Sequence, residues 1–161
     1  MIVDKKIKSL VQALNKTGIP TTSSCEGHIN RDSPVPWIKI TAREKSSHKN
    51  SKTSKYWQDE NKKIRLKTQE LLKIFYKDRK VSQLVRITTS SANTGFWIHN
   101  GKILFHRWRR TVNERVKKIK KGGKAPEIIN RKEKIRRVRT LPPLQKEMAS
   151  FAKFLMTKRQ T

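Results

Sequence analysis

The stretch TTSSCEGHI, residues 21–29, gathers a thiol, a carboxylate and an imidazole within four consecutive residues. Cys25 is the only cysteine of the chain and His28 is one of four histidines. A cysteine nucleophile needs a neighbouring base to hold it as thiolate, and His28 can reach Cys25 in a tight turn. Cys25, Glu26 and His28 are therefore the candidate catalytic residues. The Cys25-x-x-His28 spacing also suits a metal, but a closed structural zinc site takes four ligands, usually with a second pair. The other histidines are His48, His99 and His106. If residues 96–108 form a hairpin, His99 and His106 stand about 13 Å apart along it, so no metal site is expected. In the plainest reading the stretch is a corner. Ser23 and Ser24 favour a turn, Gly27 permits positive φ, and Cys25 is small enough to be buried.

The elements that must hold this corner follow from periodicity. Ile7, Leu10, Val11 and Leu14 recur at helical spacing and predict a helix over 4–17 with Asp4 as its cap. Strands are expected over 19–24 and 37–41, and a Lys/Ser-rich flexible loop over 43–58. Ile64, Thr68, Leu71, Leu72 and Phe75 predict a basic amphipathic helix over 59–78, followed by a strand over 84–88. In FWIHNGKILFHRW, residues 96–108, Asn100-Gly101 is the preferred pair of a type I′ hairpin turn. That register puts Phe96, Ile98, Ile103 and Phe105 on a core face. It leaves Trp97, His99, Lys102, Leu104, His106 and Trp108 on the other. A helix over 109–121 ends at KKGGKAP, a second basic stretch runs to the paired prolines Pro142 and Pro143, and a last helix covers 144–157. The order predicts an α+β fold: a small, mainly antiparallel sheet with helices on one face over residues 1–108, plus a basic helical extension over 109–161.

Charge points to a partner. The 161 residues carry 40 Lys/Arg against 12 Asp/Glu, a net charge of +28. Such a chain repels itself, and nucleic acid is its natural counterion because each neutralised phosphate releases a condensed cation. Between residues 102 and 140 there are 16 Lys/Arg and three Glu. The expected phosphate contacts are Lys102, Arg107, Arg109, Arg110, Lys117, Lys118, Lys120 and Lys121 in the first basic stretch. Arg131, Lys132, Arg136, Arg137 and Arg139 supply those of the second. Trp97, His106 and Trp108 are the candidates for stacking on unpaired bases. RNA is favoured over DNA, because no helix-turn-helix, zinc-finger or bZIP pattern is present. Residues 122–124, GGK, lack the remaining features of a phosphate loop, and HExxH, GxSxG and GxGxxG do not occur. No secretory h-region opens the sequence and no run approaches a membrane span, so a cytoplasmic place without a membrane partner is expected.

A helix, a turn and then Thr22, Ser23, Ser24, Cys25, Gly27 and Ile29 resemble the start of the wybutosine-synthesising tRNA methyltransferases. The stretch departs from that pattern at Glu26, in place of a small residue, and at His28, in place of arginine. It is similar as well to small bacterial and phage proteins with an SCEGH motif after a like helix. The resemblance spans residues 4–29. It implies an α+β domain acting on RNA, with S-adenosylmethionine as cofactor and a site at Ser23–His28. Three functions result: an RNA-binding subunit of a ribonucleoprotein needing no cofactor, an RNA-modifying enzyme, and a basic regulator or inhibitor of a nucleic-acid enzyme.

Overall fold

The computed structural model describes residues 3–43, 55–123 and 129–158. Helix α1 (Lys8–Lys16) turns Leu10, Val11, Ala13 and Leu14 inward, as their spacing predicts. Strand β1 (Thr21–Cys25) pairs antiparallel with β2 (Trp37–Ile40). After helix α2 (Lys55–Phe75) come β3 (Thr88–Ser91) and β4 (Phe96–His99). Strand β4 lies between β2 and β3, antiparallel to both, so the sheet order is β1-β2-β4-β3. Helices α3 (Lys102–Lys120) and α4 (Arg131–Thr157) follow. The fold is α+β.

Alternation along the strands sorts the sheet into two faces. Ile38, Ile40, Phe96 and Ile98 meet Leu10 and Leu14 of α1, Leu72 and Phe75 of α2, and Met148, Phe151 and Leu155 of α4. Burying each large apolar side chain contributes about 1.5–3 kcal/mol. On the opposite face Trp37 and Trp97 pack with Val35, Leu104, Phe105, Trp108 and Leu144. Thus α1, α2 and the second half of α4 cover one face, and the first turns of α3 cover the other.

The hairpin expected over 96–108 does not form. Gly101 takes the positive φ that the Asn-Gly pair predicted, +58°, but uses it to start α3. The Gly101 N–H donates to Leu84 O at 2.7 Å, and its own carbonyl accepts from Phe105 N at 2.8 Å. The Asn100 side chain is buried and donates to Leu144 O at 2.9 Å. Continuing as a helix keeps Phe105 inside but turns Ile103 outward, 73% exposed. The hairpin lies one strand earlier, between β3 and β4. Its first strand is Thr88–Ser91, which overlaps the strand expected over 84–88 only at Thr88, while 84–87 is not strand. A polar Thr/Ser run serves at a sheet edge, where backbone pairing with β4 rather than burial holds it.

Two other boundaries move. Residues 55–58 belong to α2 because Trp57 is buried, its Nε1 donating to Ala42 O at 3.0 Å; residues 44–54 of the expected loop lie outside the described residues. Helix α4 runs through Pro142 and Pro143 instead of beginning after them. A proline removes the hydrogen bond to the carbonyl four residues back. Here those carbonyls belong to Val138 and Arg139, two exposed residues, so water can satisfy them. Asn130 caps the start, its side chain accepting from Glu133 N at 2.9 Å.

His99, expected on a polar face, is fully buried. Its ring stacks on Phe105 at 3.9 Å and its Nε2 lies 2.6 Å from Ser90 Oγ. Burial lowers its pKa from 6.5 to about 4. The fold accepts the neutral ring, whereas the unfolded chain binds a proton near pH 6.5. His99 therefore contributes stability that is complete above pH 6.5 and lost as pH falls towards 4. Denaturant unfolding should show a loss of about 2 kcal/mol between pH 7 and 5 from this residue. His99→Gln should flatten that slope.

Candidate functional site: an Asp-Cys-His corner beside a basic cleft

The antiparallel pairing of β1 with β2 ends at Cys25, opposite Trp37, and the chain turns there into the 26–36 loop. Cys25 is buried, and the Gly27 N–H donates to its Sγ at 3.4 Å. Gly27 has φ +78°, and a Cβ there would lie 2.5 Å from Leu141 Cδ1 and 3.0 Å from the Val35 carbonyl carbon, so the turn needs glycine.

His28 reaches back towards the segment before α1, where its Nε2 stands 3.6 Å from Asp4 Oδ2. Asp4 does not cap α1 as expected; Ile7 holds the cap position without a side-chain hydrogen bond. Its carboxylate instead accepts from Glu26 N at 3.2 Å. The ligand-type atoms of Asp4, Cys25 and His28 all lie within 4.8 Å of one another. Glu26, a candidate catalytic residue, is committed elsewhere: its Oε2 accepts from Lys6 N at 2.8 Å and its carbonyl from Gln145 Nε2 at 2.9 Å.

Burial pushes the Cys25 thiol up to about 11, and the negative charges of Asp4, Asp32 and Glu26 add to the effect against the opposing Gly27 N–H. At neutral pH the group is a thiol. The electrostatics therefore oppose a free-standing cysteine nucleophile.

The loop is held from above by α4. Arg137 is 3% exposed, and its Nη1 donates to the carbonyls of His28 at 2.8 Å, Arg31 at 3.0 Å and Asp32 at 3.1 Å. Its Nε donates to Glu133 Oε1 at 2.9 Å. Arg137 was expected to contact phosphate; in the fold its Nε and Nη1 act as an internal clamp, while the residue also lines the cleft between α3 and α4. Arg136 is half-buried and paired with Glu133 at 2.6 Å.

Beyond the clamp, α3 and α4 enclose a cleft of about 580 Å³. Leu104, Trp108 and Ile135 supply apolar lining, and Arg107, Lys132, Arg136 and Arg139 supply charge. Pro34 of the loop lines it too, so the cleft adjoins the corner. Lys102, His106, Arg110, Lys117, Lys118, Lys120, Lys121 and Arg131 are exposed but do not line it. Of the expected stacking residues, Trp97 and Trp108 are half-buried and His106 is exposed. Trp37 meets Trp97 edge-on at 4.9 Å and stacks on Trp108 at 6.1 Å. Arg109 and Lys39 lie over the Trp97 ring at 5.1 and 5.5 Å. Trp108 keeps contact with the cleft.

His99 and His106 have ring centroids 5.6 Å apart, not the separation expected of a hairpin, because one helical turn brings them together. The participation of Asp4 was not legible, since it sits 21 residues before Cys25 and read as a cap. The Arg137 clamp did carry a signal, the Glu133–Arg137 spacing of four on one helix. Comparison with protein families, with curated proteins and with solved structures finds no match to the chain.

Arg137→Ala would leave Glu133 without one partner and three loop carbonyls without their donor. It should lower the free energy of unfolding by about 3–5 kcal/mol in a denaturant titration.

Proposed function

We propose that the chain is a nucleic-acid-binding protein, with RNA preferred, acting in the cytoplasm as a subunit or accessory of a ribonucleoprotein. The cleft between α3 and α4 carries the reading. Helix α3 has eight Lys/Arg against Glu114 alone. The cleft combines apolar lining with basic side chains, which suits a ligand with anionic edges and flat apolar parts. A merely solvated basic helix does not need exposed Val116, Ile119 and Val138 beside its charges, yet all three are exposed here. Unpaired RNA offers bases to such a surface, whereas the bases of a duplex are stacked away.

If about 6–10 phosphates are engaged, affinity for single-stranded RNA should fall by about 10³–10⁵ between 50 and 200 mM salt. Joint reversal of Arg107, Lys132 and Arg139 to Glu should reduce the salt slope by about three, near one per lost phosphate contact. Reversal of Lys62 and Lys73 on α2 and of Lys77 just after it should leave affinity nearly unchanged. A salt-insensitive affinity, or equal losses from both sets, contradicts the reading.

The convergence of Asp4, Cys25 and His28 favours a second reading, an RNA-modifying enzyme with its site at Ser23–His28 and S-adenosylmethionine as cofactor. On that reading Cys25→Ala and His28→Ala abolish a modified nucleoside while RNA affinity stays within about twofold. On the first reading RNA recovered with the wild-type protein and with these variants carries the same nucleosides.

A further inference from the structure

We propose that Asp4, Cys25 and His28 form a three-ligand site for a divalent transition metal ion, zinc foremost, with a fourth position open to solvent. The proposal rests on geometry around the corner and is independent of the RNA reading.

The three side chains converge without satisfying one another. His28 Nε2 and Asp4 Oδ2 stand 3.6 Å apart, too far for a hydrogen bond. Two ligands on a tetrahedral zinc, with bonds of 2.0–2.1 Å, are separated by about 3.3 Å, so the observed spacing is closer to a shared ion than to a direct contact. All three ligand atoms lie within 4.8 Å of one another, which a small closure of the side chains brings to coordination distance.

The donor types choose the ion. Sulfur and imidazole nitrogen disfavour magnesium and calcium and suit zinc; a carboxylate completes a common set. Thiolate and carboxylate together neutralise a dication. The surroundings have the matching sign: Asp4, Glu26 and Asp32 all act on Cys25 in a chain whose net charge is +28.

Outer contacts hold the ligands in place. The Glu26 N–H orients the Asp4 carboxylate, the Gly27 N–H meets Cys25 Sγ, and Arg137 grips the His28 carbonyl. The Cys25 side is buried, while the Asp4 and His28 side chains are 32% and 15% exposed. Solvent or a substrate oxygen can therefore reach the fourth position, as in zinc sites that polarise a bound water rather than closed structural ones.

The test uses the full chain, stripped with a chelator and titrated with zinc or cobalt(II) chloride. One ion should bind per chain, releasing roughly one proton as the thiol ionises. The cobalt form should show a sulfur-to-metal charge-transfer band. Cys25→Ser should remove that band and the released proton. His28→Gln and Asp4→Asn should each weaken binding by more than the roughly 10–100-fold expected for loss of an outer-shell partner. His106→Gln, at an exposed histidine away from the corner, should leave metal affinity and the charge-transfer band as in the wild type. If Cys25→Ser fails to fold by circular dichroism, Asp4→Asn at the exposed edge carries the test. Absence of stoichiometric binding, a charge-transfer band that survives in Cys25→Ser, or unweakened binding in Asp4→Asn overturns the proposal.

Discussion

A single guanidinium governs how this chain is assembled. Arg137 is buried, and a buried charge is tolerated only where hydrogen-bond partners replace its water. It finds three loop carbonyls and one carboxylate. That contact ties the first half of α4 to the loop after Cys25, while Met148, Phe151 and Leu155 tie the second half to the main core. Pinned at two places, α4 stays helical across Pro142 and Pro143 and forms one wall of the cleft facing α3.

The same clamp separates two electrostatic regions. The arms formed by α3 and the start of α4 carry dense positive charge on exposed residues. The corner beneath the clamp gathers Asp4, Glu26 and Asp32 around a buried sulfur. Dense positive charge opposes compaction unless an anion compensates it. Projecting the charge from the sheet lets the core form from apolar contacts, and leaves the basic surface accessible to a polyanion. The shared position of Pro34, on the corner's loop and in the lining of the cleft, makes the two regions neighbours.

Local patterns were legible where burial and period agreed. Helix α1, strand β2 and the apolar stripe of α2 follow directly from their spacing, as does the α+β class. The segment after Asn100-Gly101 was not, because positive φ at glycine serves a helix start as well as a hairpin turn. The deciding contacts, Gly101 to Leu84 and Asn100 to Leu144, are long-range. Thr89, Ser90 and Ser91 carried no strand signal because an edge strand needs little burial. At the corner the residue types were visible from the sequence, but Asp4 joined them only through the fold. Among the arginines of RKEKIRRVR, sequence alone could not distinguish the one turned inward from those facing solvent.

The central claim is that RNA sits between α3 and α4, on the cleft beside the clamped loop. Photo-crosslinking of bound single-stranded RNA, followed by peptide mapping of the adducts, tests it most directly. Adducts within 102–121 and 131–140, with Trp108 among them, are the predicted result. Adducts concentrated on α2 and the turn after it, between Lys62 and Lys77, would contradict it.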